Sequence, residues 1–400
     1  MNFTDLLHEI NSNPQINFIA SAITPLHIVG IKATIDKLNS QGIALNGYIL
    51  NRPHGKTGRL NLQNDFSSSL NTINCVPFDM CLSGGRIPFV KSHLSALKAA
   101  IRKKSDRTIY ILWTKIEYDW LYLLDCFTLG YKVVFVIIDD GAGSYISHFA
   151  NELSLENERV IRQQKLTLSA RIKAFIKVFV MTMYDNLLAF FVRSSRNLID
   201  NRIFVTNREN KILGHNDSIV NNYVNAFRSS INEKDCIKEI QLLDGCVLFN
   251  TQCLVESGIT DGIVDYEVYQ KAIDIAKHHS KRVVVKPHPR ENDIEKYERL
   301  NVDILETNYT QESLLSIAAN KPICVVSIFS STLLNAKGLF GIPAISLAKI
   351  MLKEDLSNDL KSTLEAFICQ YSNIIQFPSS FEEYTDIIKR ELERRRNEQQ

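Results

Sequence analysis

Short apolar runs alternate with longer amphipathic stretches through the first third of the chain. INFIASAIT (Ile16–Thr24) predicts a buried strand that Pro25 ends, and LHIVGIKATIDKLNSQG predicts a helix closed at Gly42. IALNGYILN predicts a second strand, HLSALKAAIRKKS a helix and TIYILWT a strand. EYDWLYLLDCFTLG predicts a helix, and YKVVFVIID (Tyr131–Asp139) a strong strand. From Ala150 to about Glu239 the pattern turns helical and then polar, with IFVTN (Ile203–Asn207) as a short strand. NDSIVNNYVNAFRSSINEKD there reads as a connecting region. Alternation then restarts. CVLFNTQ, RVVVKPHP, VDILET, ICVVSIF and AISLA predict strands, and DYEVYQKAIDIAKHH, TQESLLSIAAN and SSTLLNAKGLFG predict helices between them. FEEYTDIIKRELERRRNEQQ predicts a charged terminal helix, its arginines and glutamates forming a solvated face.

Strands that alternate with helices imply parallel sheets covered on both faces. Four hundred residues exceed one compact core, so two domains are expected. The first spans 1–238 and carries a helical insertion at about 150–200; the second spans 239–400. The expected fold class is α/β, with two Rossmann-like domains facing a cleft.

Composition narrows the function classes. Hydrophobic content of 45% and charged content of 22% are those of an ordinary globular protein. A net charge of +2 excludes a strongly basic nucleic-acid binder. The eight cysteines form no C-x-x-C, and no histidine pair completes a zinc pattern. Several sit in apolar runs, as Cys246 does in CVLFN, where a reduced thiol behaves as a small hydrophobe. A reducing cytoplasm is the expected compartment. MNFTDLLHEINSNPQ has neither the basic start nor the apolar core of a secretion signal. The most membrane-like stretch, Arg171–Arg193, is interrupted by Lys173, Lys177 and Asp185. It is expected either to lie on a membrane surface or to be a buried helix.

Three segments carry candidate chemistry, each at the end of an expected strand. VVFVIIDDGAGSY delivers Asp139 and Asp140 just before Gly141, where parallel sheets bind ligands. Successive strand residues point to opposite faces, so one aspartate faces a substrate while its neighbour braces the turn. A carboxylate there can act as general base, and an Asp-Gly turn is the structural alternative. RVVVKPHPRE holds His288 between Pro287 and Pro289, which stiffen the backbone, with Lys286 and Arg290 nearby to attract anions. An imidazole in that setting suits a departing phosphate; a surface histidine is the alternative. ICVVSIFSSTLLNAKG places Ser330, Ser331 and Thr332 between a strand and a helix. Phosphate binding and plain N-capping both use hydroxyls at that position. No strand ends in an Asp-x-Asp, so no metal is implied.

In this order the three segments resemble the motifs of the bacterial sialyltransferases: an acidic-Asp-Gly, a His-Pro and a Ser/Thr-rich motif. Here they read IDDG at Ile138–Gly141, KPHPRE at Lys286–Glu291 and SIFSST at Ser327–Thr332. The opening SAITPLHIVGIKA is similar to the start of the lipooligosaccharide sialyltransferases of glycosyltransferase family 52, and capsular polysialyltransferases share the later motifs. The resemblance implies the B-type glycosyltransferase fold, a metal-independent inverting mechanism without cofactors, and CMP-sialic acid as donor. It makes Asp139 or Asp140 the base, with Asp139 favoured by its first position, and His288 the group that assists departure of CMP. It places Ser330 and Ser331 on the CMP phosphate, with Gly141, Lys286 and Pro289 as further donor-binding positions. Some family 52 members use a carboxylate before the His-Pro segment, which makes Asp261 or Asp265 a competing base.

The implied activity is transfer of sialic acid to a terminal galactose-type sugar of a lipooligosaccharide or O-antigen. The acceptor would be lipid-linked at the inner face of the cytoplasmic membrane. Two rivals are a hexosyltransferase on the same scaffold using another sugar nucleotide, and a non-catalytic, membrane-associated scaffold of glycan assembly.

Overall fold

The computed structural model describes residues 3–52, 73–77, 106–113, 131–139, 198–200, 216–252, 254, 263–280, 282–288, 291–307 and 309–399. They fall into two compact units, one reaching Ala226 and the other starting at Phe227.

The first unit is built on a six-stranded sheet: β1 (Phe18–Ala22), β2 (Gly47–Asn51), β3 (Ile73–Pro77), β4 (Thr108–Trp113), β5 (Lys132–Ile137) and β6 (Leu198–Asp200). The order is β3-β2-β1-β4-β5-β6, and every pair is parallel. The order reverses between β1 and β4, which opens a crevice at the carboxyl ends of the strands. β1 is buried throughout, and Phe18, Ala20 and Ala22 join Ile28, Ile31, Ile35, Ile49, Leu112 and Val136 in one core. The helix Pro25–Ser40 starts as its sequence dictates. Thr24 caps it by accepting from the His27 N–H, and Pro25 fills the first turn, where no amide hydrogen is needed. Gly42, at φ 80°, turns the chain back towards β2.

One expectation fails here. Asn216–Ser229, read as a connecting region, is a helix. Ile219, Tyr223, Ala226 and Phe227 recur at helical spacing and are buried. Asn222 donates from Nδ2 to the carbonyl of Ala33 at 3.2 Å, which ties this helix to Pro25–Ser40. The asparagines and serines around the apolar positions made the segment look like a loop. The strand expected at Ile203–Asn207, the helices expected within 93–105 and 117–130, and the Arg171–Arg193 stretch lie outside the described residues. Among the described residues no helix is long and apolar enough to cross a membrane.

The second unit carries a five-stranded parallel sheet: β7 (Val247–Asn250), β8 (Val283–Lys286), β9 (Asp303–Ile304), β10 (Cys324–Ser327) and β11 (Ala344–Ser346). Its order, β11-β10-β7-β8-β9, reverses between β7 and β10. Helices Ile263–His279, Gln311–Ile317 and Ser331–Phe340 follow β7, β9 and β10, as their sequences predict. Two Rossmann-like α/β units are therefore present, the B-type glycosyltransferase pattern expected from the sequence. The terminal helix Phe381–Gln399 is also present, but its expected solvated face is partly sealed. Glu391 is buried, with Arg394 Nε 2.9 Å from its Oε2.

Cys246 and Cys324 are fully buried in this sheet. Burial pushes the Cys246 thiol up to about 12 and the Cys324 thiol up as well. Both are expected to resist iodoacetamide in the folded protein, whereas the exposed Cys369 reacts. Peptide mapping after a timed pulse checks this; labelling of Cys246 at the rate of Cys369 would contradict the packing.

Candidate active site

In the second unit the His-Pro segment leaves the sheet at Lys286, whose register partner on β7 is Asn250. The Thr251 N–H donates to the Lys286 carbonyl at 3.2 Å, so the β7 and β8 loops depart side by side. The His288 N–H then donates to Glu291 Oε2 at 2.9 Å and to Thr251 Oγ1 at 3.2 Å, and the Glu291 N–H returns to the His288 carbonyl at 2.9 Å. Glu291 is itself buried. Besides the His288 amide, its carboxylate accepts from the Thr251 hydroxyl and from the Tyr297 hydroxyl at 2.8 Å, and Lys296 Nζ lies 3.0 Å from Oε1. Burial first, and then the Glu291 charge, push the Tyr297 hydroxyl well above its ordinary range, so it stays a donor.

The Ser/Thr segment leaves the same edge at β10. The Ser327 hydroxyl donates to the Asn250 carbonyl at 2.8 Å, and the buried Tyr269 hydroxyl donates to the same carbonyl at 3.0 Å. Tyr269 also accepts from the Ile328 N–H at 3.2 Å. The Phe329 N–H donates to Gln252 Oε1 at 3.1 Å, and Gln252 Nε2 donates back to the Phe329 carbonyl. Ser330 caps the helix Ser331–Phe340: its Oγ accepts from the Thr332 N–H at 3.3 Å and from the Thr332 hydroxyl at 2.9 Å. Thr332 Oγ1 in turn accepts from Asn250 Nδ2 at 3.0 Å. The capping expected of Ser330 is thus real, and it leaves a function to spare. Its oxygen is used as acceptor, and its own O–H donates to no partner among the described residues. Ser331 occupies the first helical position, where an N–H has no partner inside the helix.

His288 and Ser330 are therefore carried on loops from β8 and β10, the two neighbours of β7. Strands about 4.8 Å apart put those loops roughly 10 Å from each other, a distance a nucleoside monophosphate spans. Lys286 lies at the same edge, half-buried, its ammonium in no hydrogen bond among the described residues. Burial lowers its pKa, opposed by the nearby Glu312 carboxylate.

In the first unit Asp139 lies just beyond β5 and is fully buried. Its N–H donates to the Tyr223 hydroxyl at 3.4 Å. That hydroxyl fits because residue 30 is glycine: a Cβ there would stand 2.8 Å from it. Asp140, Gly141, Pro289 and Asp261 lie outside the described residues. Asp265 is buried in the first turn of helix Ile263–His279.

Sequence reasoning missed Thr251, Gln252, Tyr269 and Tyr297, and quoted Glu291 only as the end of a motif. The signal for two of them was present. CVLFNTQ ends an apolar strand in three polar residues, at the end where parallel sheets bind ligands.

A model of alpha-2,8-polysialyltransferases (POLYST) matches residues 61–349, more than half of the chain. The chain belongs to that family. It is a glycosyltransferase of the sialyltransferase kind, as the motif resemblance implied, with a nucleotide-sugar donor and a glycan acceptor. Curated protein sequences contain no match to it. Among solved structures, a UDP-GlcNAc 2-epimerase from Neisseria meningitidis is 11% identical with a TM-score of 0.46, covering 94% of this chain and 93% of that one. An alpha/beta-galactoside alpha-2,3-sialyltransferase from Photobacterium phosphoreum is 11% identical with a TM-score of 0.45, covering 90% and 98%.

Proposed function

We propose that the chain transfers sialic acid from CMP-sialic acid, with inversion, to the non-reducing end of a bacterial surface glycan. In this reading an acceptor hydroxyl oxygen attacks the anomeric carbon. The bond from that carbon to the CMP phosphate breaks, and CMP leaves with its electron pair. Asp139 or Asp140 takes the hydroxyl proton, and His288 donates a hydrogen bond or a proton to the departing phosphate. Ser330 and Ser331 hold that phosphate through hydroxyl and helix N–H groups, beside the Lys286 ammonium. The reading rests above all on one observation: the loops of Lys286–His288 and Ser330–Ser331 are bonded to the intervening β7 loop.

The acceptor follows less directly from the residues. A galactose-type end matches the likeness of SAITPLHIVGIKA to family 52. The alpha-2,8 linkage in the family's name joins one sialic acid to another and favours a sialic-acid end. The acceptor would be lipid-linked at the inner face of the cytoplasmic membrane, a lipooligosaccharide, an O-antigen or a capsular chain.

The test is incubation of the enzyme with CMP-sialic acid or UDP-hexoses, and with acceptors ending in galactose or in alpha-2,8-linked sialic acid. Asp139→Ala, Asp140→Ala and Asp261→Ala are run beside wild type. Turnover of CMP-sialic acid alone is expected, with a loss of at least about 100-fold in whichever of Asp139→Ala and Asp140→Ala removes the base. Turnover of UDP-hexoses instead would establish the hexosyltransferase. Failure to bind any nucleotide would leave the scaffold reading.

A further inference from the structure

The carboxylate of Glu291 is buried beneath the His-Pro loop, and four donors converge on it from three chain segments. The His288 amide and the Thr251 hydroxyl meet Oε2; the Tyr297 hydroxyl and the Lys296 ammonium meet Oε1. A buried carboxylate costs stability unless its oxygens are paired, and here both are. Its backbone adds a return bond, N–H to the His288 carbonyl at 2.9 Å. The loop at His288 is thus fixed through its peptide groups. We infer that Glu291 is a positioning residue that sets the placement of the His288 imidazole towards the donor phosphate, an inference that rests on the function proposed above.

The chemistry of the carboxylate makes the role specific. An amide in its place has one acceptor oxygen and one NH2 group. Whichever way that amide turns, Glu291→Gln sets an NH2 against donors, either His288 N–H and Thr251 or Tyr297 and Lys296. The loop must then shift, and a misplacement on the order of 1 Å costs about 100-fold in a positioned reaction. Tyr297→Phe is the milder perturbation, since it removes one of the four donors and keeps the ring.

The experiment is a double-mutant cycle on CMP affinity, measured by calorimetry, with transfer kinetics alongside. Glu291→Gln and Tyr297→Phe are each made with His288 intact and in a His288→Ala background. Affinity is readable even where transfer is abolished. Either substitution is expected to weaken CMP binding when His288 is present, about 10-fold for Glu291→Gln and several-fold for Tyr297→Phe. Both are expected to have little effect once His288 is alanine. In the His288 protein, kcat is expected to fall by about 100-fold in Glu291→Gln. Equal losses in both backgrounds would make Glu291 a general brace of the fold and overturn the inference, as would no loss in either. If Glu291→Gln does not fold, Tyr297→Phe decides by the same comparison. Failure of the donor reading looks different: wild type would not bind CMP, or His288→Ala would bind and turn over like wild type.

Discussion

His288→Ala is expected to lower kcat for sialyl transfer by about 1,000-fold, close to 4 kcal/mol of transition-state stabilisation. In the proposed reading the imidazole donates to the phosphate as negative charge develops there. Its removal also leaves the backbone bonds of the loop in place. The bonds that fix this residue to Glu291 and Thr251 run through its N–H and its carbonyl, and alanine keeps both. The melting temperature is therefore expected to stay within about 2 °C of wild type, the shift of less than 1 kcal/mol in a chain of this size. Steady-state kinetics with CMP-sialic acid and a thermal melt check the two halves together. A loss of activity below about 10-fold would remove His288 from the chemistry, and a large fall in melting temperature would make the loss one of folding.

Gly47→Ala is expected to cost the first unit about 3 kcal/mol or more. A Cβ at this position would lie 1.8 Å from the carbonyl oxygen of Phe18 and 2.7 Å from its carbonyl carbon. Phe18 is the register partner of Gly47 at the start of the β1–β2 pair, so the obstacle is backbone that cannot swing aside. Overpacking a core by one methyl usually costs about 1–3 kcal/mol, and here relief requires the two strands to part. Gly245→Ala is the control. Gly245 sits at φ 59° with nothing within 4 Å of its would-be Cβ, so it should lose only the roughly 1 kcal/mol of a left-handed backbone. Urea unfolding followed by circular dichroism ranks the pair. Equal midpoints for both variants would show that β1 and β2 accommodate the methyl.

The repeated strand-helix rhythm carried much of the fold because each element satisfied a local rule. Pro25 and Thr24 start a helix, apolar runs make β1, β5, β7, β8 and β10, and polar residues at strand ends mark where ligands bind. What escaped notice depended on partners distant in sequence. INCVP did not read as a strand, since it is short, ends in Pro77 and pairs with β2, a partner distant in sequence. Asn216–Ser229 hid a helical face behind asparagines. In the site, His288, Lys286 and Ser330 were legible because each stands beside a proline or a helix start. Glu291 and Tyr297 were not, because a carboxylate and a tyrosine in a polar stretch look solvent-facing until the fold buries them together. Asp139 was legible as a strand-end acid, yet its full burial and its Tyr223 partner needed the tertiary structure.

The triplet Asn250–Gln252 has a consequence for how a nucleotide is received. Its members already hold the segments on either side, through Thr332, Phe329 and His288, before any ligand arrives. A receptor assembled in advance spends little conformational freedom at capture, so more of its contact energy remains as affinity. If the donor binds where proposed, loosening one of these three side chains is expected to weaken the grip on it and speed escape of the spent nucleotide, even where no atom of the altered residue reaches it.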